Sequence, residues 1–85
     1  MDEFIKAVVE HFEEEMEDIC EYLHLAKKAR IDDHGYLALL FSTIARDEYT
    51  HASHLRDYLI MEDVYQPEGA HKDLEAKWQK VSAMT

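Results

Sequence analysis

The amino-acid sequence predicts an all-α protein, an antiparallel two-helix hairpin followed by a short C-terminal helix. Apolar residues recur at helical spacing through two long segments, and β-branched residues alternate nowhere over a useful length. The 85 residues include only two Gly and one Pro, which leaves few places where a helix would be interrupted. A composition of 47% hydrophobic and 33% charged residues is typical of an ordered chain.

Each element has ends that the sequence indicates. Helix 1 is predicted over about 2–30. The turn Asp32-Asp33-His34-Gly35 follows, where an Asp is expected to cap the next helix. Helix 2 is predicted over about 34–64, and the segment Gln66-Pro67-Glu68-Gly69 then breaks the pattern. A shorter helix 3 is predicted over about 70–83.

The size of the chain predicts oligomerisation. Residues 1–85 make one small domain, and a single hairpin of this length buries only a modest core. Two hairpins related by a twofold axis would form a four-helix bundle, so we expect a homodimer. Leu39, Tyr49 and Ile60 lie off the main apolar stripe and indicate a second contact surface, and thus an assembly beyond the dimer.

Charge and cysteine content exclude several classes of protein. The net charge of −10 argues against nucleic-acid binding; attracting cations and keeping the chain soluble both remain open as its purpose. The lone Cys20 cannot form an intrachain disulfide and fits a reducing compartment. Met1-Asp2-Glu3 is acidic, unlike a signal peptide, and no apolar run approaches the roughly 18 residues of a membrane span. We expect a protein of the cytoplasm or of an interior compartment, without membrane association.

Glu48-Tyr49-Thr50-His51 places a Glu-x-x-His pair within the apolar stripe of helix 2. Residues three apart project from the same face of a helix, so both side chains can reach one metal ion or two neighbouring ones. A second match, Glu21-Tyr22-Leu23-His24, falls on the polar side of helix 1 and is interpreted as solvated surface. The apolar residues in a narrow arc around Glu48 are Leu37, Phe41, Ile44, Ala45, Ala52, Leu55 and Leu59.

Helix 1 carries its own carboxylate, Glu15, in its apolar stripe. The stripe around it consists of Phe4, Val8, Phe12, Ile19, Tyr22, Ala26 and Ala29. An unpaired buried carboxylate costs several kcal/mol or becomes neutral through a shifted pKa, which favours a cation between Glu15, Glu48 and His51. His11 and His54, near the edges of the stripes, are interpreted as surface histidines.

Counting these donors predicts half of a metal site. A carboxylate-bridged di-iron or di-manganese site in a four-helix bundle takes a Glu from each of two helices and a Glu-x-x-His pair from each of the other two. This chain supplies Glu15, Glu48 and His51, so two copies supply the whole set across a dimer interface. The mixed oxygen and nitrogen donors suit iron or manganese better than copper or a structural zinc. Zinc or manganese could also occupy the isolated site, because such ligands discriminate poorly.

The segment from Glu14 to Leu59 resembles the ferritin-like superfamily. The resemblance lies in Glu15, in Tyr22 seven residues on, and in the run from Ala45 to Ala52 around Glu48, which has rubrerythrin-type spacing. The short hairpin, the third helix and the acidic run before Tyr22 more closely resemble the encapsulated ferritins, which are packaged inside encapsulin nanocompartments.

That resemblance implies a ferritin-like four-helix bundle with ferroxidase activity, at a di-iron centre completed between two subunits. It further implies a ring of dimers, with an encapsulin shell as partner, for iron storage or detoxification. The matched positions are Glu15, Glu48 and His51 as metal ligands, Tyr22 beside the metal, and Glu14 and Glu17 along the path by which metal enters. The sequence up to Thr85 contains no shell-docking tail, so either such a tail has been removed or the protein works without a shell. The connection between the helices is of rubrerythrin length, and the subfamily stays open.

Two other functions remain open on the sequence. The hairpin could dimerise as a structural or metal-binding module in which Glu15, Glu48 and His51 form a buried polar network that fixes register. A rubrerythrin-like peroxide reductase is the other alternative, although the chain has no Cys-x-x-Cys module to supply electrons.

Overall fold

The computed structural model describes residues 2–85, and within them it contains three helices and no strand. Helix α1 spans Glu3–Ile31, α2 spans Gly35–Met61 and α3 spans Lys72–Met84. The two long helices pack together and the short one packs mainly against α1, which confirms the all-α prediction of a hairpin with a C-terminal helix. The predicted domain of 1–85 includes Met1, which lies outside the described residues.

The ends of α1 follow from local chemistry. The side chain of Asp2 accepts a hydrogen bond of 2.7 Å from the backbone N–H of Phe4, and so caps one of the free donors at the helix start. Lys28 and Arg30 in the last turn complement the negative end of the helix dipole. Asp33 then adopts a left-handed conformation with φ 62°, which reverses the chain and brings α2 back along α1.

The predicted Asp cap of α2 is wrong. The residue before its first turn is His34, and no side chain there accepts a hydrogen bond from the helix. Asp32 instead closes α1, with its backbone N–H donating to the carbonyl of Lys28. The Asp residues are used to end the first helix rather than to start the second.

Helix α2 ends at Met61, three residues before the predicted end at 64. Asp63 is left-handed, with φ 61°, and the backbone N–H groups of Val64 and Tyr65 fold back onto the carbonyl of Leu59 at 3.0 and 3.1 Å. This closure satisfies a free carbonyl at the helix end. Helix α3 starts at Lys72 rather than 70, because a turn in which His71 N–H donates to Gln66 precedes it.

The contact between α1 and α2 is lined by small residues on α2. Ala38, Ala45 and Ala52 are 4% exposed or less and recur every seven residues, with the fully buried Leu59 continuing the column. Small side chains allow close approach of the facing helix, whose larger core residues are Phe12, Met16 and Ile19. The alanine column therefore determines how closely the two helices lie.

Helix α3 seals one side of this hairpin with aromatic contacts. The ring of Trp78 lies 5.0 Å from that of Tyr49 in a parallel stack and 5.5 Å from that of Phe12, which also meets Tyr65 edge-on at 5.5 Å. The hydroxyl of Tyr49 donates to Ser82 at 3.2 Å. Tyr49 thus packs within its own chain, and its predicted place on a second contact surface is wrong.

The other side of the hairpin is open. The molecule measures 47 × 21 × 16 Å, a long body that is only about two helices thick. Large apolar residues remain exposed on both long helices, among them Phe4, Leu37, Leu40 and Tyr58. The three on α2 follow helical spacing along the side that carries Glu48 and His51.

A charged cluster fastens α3 to the end of α2. Arg56 donates two hydrogen bonds to the carboxylate of Glu75, at 3.0 and 2.7 Å, and its guanidinium lies 5.7 Å from the centre of the Trp78 ring. Tyr65 and Gln79 also donate to Glu75, at 2.8 and 2.7 Å. Because the Arg contact is bidentate and partly buried, it is stronger than an ordinary surface ion pair.

The cluster around Glu75 shifts the pKa values of Glu75 and Tyr65 in opposite directions. Burial alone would raise the pKa of Glu75, but the hydrogen bonds from Arg56, Gln79 and Tyr65 outweigh it and hold the pKa below its ordinary 4.5. Burial and the hydrogen bond to Glu75 raise the pKa of Tyr65 above its ordinary 10.0. The folded state therefore favours a charged Glu75 beside a neutral Tyr65.

We predict that Glu75→Gln destabilises the protein in a pH-dependent way. Since the folded pKa lies below the unfolded one, the Glu75 carboxylate stabilises the fold above about pH 4.5 and its contribution is lost as pH falls through the lower value. At neutral pH the variant should lose about 1–3 kcal/mol of unfolding free energy. Urea denaturation followed by circular dichroism at several pH values, at fixed protein concentration, measures the difference.

The matched control is Glu68→Gln, which changes an exposed carboxylate between α2 and α3. It should stay within about 0.5 kcal/mol of wild type. A deficit for Glu75→Gln that is the same at pH 7 and at pH 3 would contradict a stabilising role for its charge.

Candidate metal centre

Glu15 is a buried carboxylate with one unsatisfied oxygen. Its residue exposure is 8%, and it is the single charged residue buried among those that the structure describes. Its Oε1 lies 3.0 Å from Nε2 of His11, while Oε2 is buried with no hydrogen-bond partner in the described chain. Buried polar atoms almost always have partners, so Oε2 is the atom here that a donor or cation from outside the described chain would satisfy.

The pKa of Glu15 reflects its burial and the charges near it. Burial raises the pKa of Glu15 above its ordinary 4.5, and the negative charge of Glu48 raises it further. His11 and His51 act in the opposite direction without cancelling these effects. Two carboxylates from α1 and α2 and two imidazoles thus act on one another across the hairpin.

Glu48 and His51 lie on α2, and their charges act on the pKa of Glu15. Glu48 lies between Ala45 and Ala52, which are fully buried one turn to either side, and it is itself half-buried. His51 is exposed on the open side of the hairpin. The sequence predicts Glu48 at the centre of the apolar stripe of α2. In the structure the buried column of Ala38, Ala45 and Ala52 lies to one side of Glu48, because α1 covers only part of that stripe.

Tyr22, Glu14 and Glu17, the other residues that the sequence predicted for the site, differ in exposure and in the neighbours they contact. Tyr22 is half-buried and stacks on Phe41 across the hairpin, with ring centres 6.2 Å apart. Glu14 is exposed, and its carboxylate is 4.0 Å from Nδ1 of His11. Glu17 is exposed and borders a groove between α1 and α3, on a different side of α1 from Glu15.

Other histidines divide clearly. Glu21 and His24, the second Glu-x-x-His match, are both exposed, in agreement with the interpretation as solvated surface, and so is His54. His11 is also exposed, as predicted, and in addition its Nε2 lies 3.0 Å from the carboxylate of Glu15. The spacing of four residues on one helix was a signal that could have revealed this contact.

The donors present fit a hard or borderline cation. Carboxylate oxygens and imidazole nitrogens are the ligands of iron and manganese in helical bundles, and the unpartnered Oε2 of Glu15 fits such an ion. Within residues 2–85 of one chain, no three His, Cys, Asp or Glu side chains gather closely enough to hold a metal. A complete site would need donors from outside the chain.

A helical hairpin with Glu on one helix and Glu-x-x-His on the other has the donor arrangement of the ferritin-like di-metal carboxylate proteins. The Rubrerythrin family model matches residues 6–83, nearly the whole chain, and the chain therefore belongs to this family within the ferritin-like superfamily. Its domains are typically di-iron oxidoreductase modules and generally bind iron.

The match confirms the ferritin-like part of the predicted resemblance and does not extend to the encapsulated ferritins. No curated protein and no solved structure matches the chain. None of the helices in the described part of the chain has both the length and the apolar character needed to cross a membrane.

We predict that Glu15→Met stabilises the metal-free protein. The substitution replaces a buried carboxylate, one oxygen of which has no partner, by an apolar side chain of similar volume, and should raise the unfolding free energy by about 1–3 kcal/mol. Thermal denaturation in the presence of a chelator measures the change.

Glu14→Met is the matched control, since Glu14 is the exposed neighbour of Glu15. Its effect should be within about 0.5 kcal/mol. If Glu15→Met is less stable than wild type without metal, the carboxylate is satisfied in the folded protein and the reading of Oε2 as unpartnered fails.

Proposed function

We propose that the protein oxidises Fe(II) to Fe(III) at a di-iron centre formed between two copies of the chain. The observation that carries the proposal is Glu15, a buried carboxylate whose free oxygen lies in the field of Glu48 and His51. Membership of the Rubrerythrin family supports iron as the metal. The activity itself and the dimer are inferences from the donor chemistry.

Ligand counting supports a shared centre. One chain offers Glu15, Glu48 and His51, which is half of the donor set of a carboxylate-bridged pair of metals in a four-helix bundle. An isologous dimer doubles each donor about its twofold axis. Each subunit would then supply one Glu from α1 and one Glu-x-x-His pair from α2.

The open side of the hairpin supports the same dimer. Leu37 and Leu40 are each 42% exposed and Tyr58 is 46% exposed. Helical spacing places them on the same side of α2 as His51, with the half-buried Ile44 and Leu55 between them. Burying such a stripe against its own copy removes apolar surface from water and would enclose the metal donors.

Each side chain has a distinct task in the proposed centre. The carboxylates of Glu15 and Glu48 would hold the cations and neutralise their charge, and the imidazole of His51 would supply a nitrogen donor. Tyr22 would donate a hydrogen bond from its hydroxyl to a ligand carboxylate. A pair of Fe(II) ions supplies two electrons in all, which suffices to reduce dioxygen to peroxide or peroxide to water.

The wider assembly is proposed on residue resemblance. Encapsulated ferritins share the hairpin, Glu15, Tyr22 and the Glu48-to-His51 motif, and they form rings of dimers inside an encapsulin shell. We propose the same setting here, in which oxidised iron passes to an enclosed store. Co-expression with an encapsulin shell, followed by purification of the shell and analysis of its cargo, tests this part separately.

We predict that Glu48→Gln slows Fe(II) oxidation. The change removes the negative charge while keeping the size of the side chain, and the initial rate under air should fall by about tenfold or more, as is usual when metal binding is disturbed. Absorbance of Fe(III) in the near ultraviolet after addition of Fe(II) measures the rate.

Glu21→Gln is the control, since it makes the same change in the second Glu-x-x-His match on the exposed side of α1. It should oxidise Fe(II) as fast as wild type. Native mass spectrometry with and without Fe(II) separates an enzyme from a structural module, because a module would form the same oligomer and bind no iron in fixed ratio. Equal rates for wild type and Glu48→Gln would refute the proposed centre.

We predict that Leu37→Glu breaks the dimer while leaving the monomer folded. Leu37 is already 42% exposed in the single chain, so a charge there costs little until two open faces meet. Leu39→Glu is the control, because Leu39 is 65% exposed and lies on the opposite side of α2. Light scattering after size exclusion measures mass; loss of the dimer in both variants, or in neither, counts against this interface.

A further inference from the structure

Among the described residues, His11 is the one side chain within ion-pair distance of the buried carboxylate of Glu15. Its Nε2 lies 3.0 Å from Oε1, one helical turn before Glu15 on α1. The His11 side chain is 59% exposed, whereas that of Glu15 is 10% exposed. The contact thus joins a group at the surface to one inside the hairpin.

This contact makes the two oxygens of Glu15 unequal. Oε1 lies within ion-pair distance of His11 Nε2, whereas Oε2 is buried without a partner in the described chain. A carboxylate with one oxygen held in a hydrogen bond can no longer rotate freely about its terminal torsion, which is otherwise broad. Its second oxygen is therefore presented in a fixed direction.

We propose that His11 is a positioning residue for the metal centre, holding Oε1 of Glu15 by its Nε2–H so that Oε2 is left for the metal. The inference rests on the proposed function, since it assigns a partner to one of the ligands. Hydrogen bonds from outside a metal site that orient its ligands commonly change metal affinity by about 10–100-fold.

The geometry distinguishes this role from that of an ordinary surface histidine. An exposed ion pair contributes little, because water replaces either partner when the other is removed. The side chain of Glu15 is only 10% exposed, so little water is available to take the place of His11 at Oε1. Loss of His11 therefore leaves an unfixed ligand, whereas loss of the exposed His24 on the polar side of α1 leaves the site unchanged.

The experiment compares His11→Gln with His11→Asn. The amide nitrogen of Gln extends about as far as Nε2 of His and can donate to Oε1, whereas that of Asn is one carbon shorter and cannot reach. His24→Ala is the control. The readout is the affinity of the assembled, chelator-treated protein for Mn(II), measured from the electron paramagnetic resonance of the free ion, together with the melting temperature without metal.

We expect His11→Asn to bind Mn(II) about 10–100-fold more weakly than wild type, and His11→Gln and His24→Ala to stay within about threefold of it. Metal-free melting temperatures should agree among all four proteins, because His11 is largely exposed. If wild type binds Mn(II) and His11→Asn binds it equally well, or if Gln is as weak as Asn, positioning by His11 is refuted and the centre stands. If wild type binds neither Mn(II) nor Fe(II), the proposed function fails and this inference with it.

Discussion

The carboxyl of Glu15 lies inside the hairpin with one oxygen on His11 and the other facing no donor. A folded chain rarely keeps such a group, because desolvation of a carboxylate opposes folding. Its neighbours relieve only part of this cost, since His11 and His51 lower the pKa of Glu15 but the carboxylate of Glu48 on α2 raises it further. The donor set, the open apolar side and the half-buried position of Glu48 all acquire a common explanation once a cation and a second subunit are supplied there.

Glu75 is a second, partly buried carboxylate, and unlike Glu15 it has hydrogen-bond donors within the chain. Glu75 receives hydrogen bonds from Arg56, Tyr65 and Gln79, and its pKa is lowered. Burial acts on both carboxylates in the same direction, so the difference lies in the partners that the chain provides. Glu75 is completed within the molecule and fastens α3 to α2, whereas Glu15 is left incomplete on the side that α3 does not cover.

Much of this architecture could be predicted from the sequence, because it follows from periodicity. The two long helices, the burial of Glu15 and the solvated position of the second Glu-x-x-His pair all depend on which residues share a helical face. Projection onto a helix does not tell which part of a wide apolar stripe meets a neighbour in the same chain. For that reason the sequence centred the buried face on Glu48 and assigned Tyr49, which stacks on Trp78, to an outer surface. The early end of α2 depends on a left-handed Asp63, a conformation that Asp tolerates without demanding it.

The column of Ala38, Ala45 and Ala52 determines the distance between α1 and α2, and in the proposed centre these helices carry the facing carboxylates. The three alanine methyl groups therefore determine the distance between Glu15 on α1 and Glu48 on α2. A longer side chain at Ala45 or Ala52 would widen the gap between Glu15 and Glu48 without touching either. Preference for a larger or smaller cation can thus evolve through residues that never contact a metal.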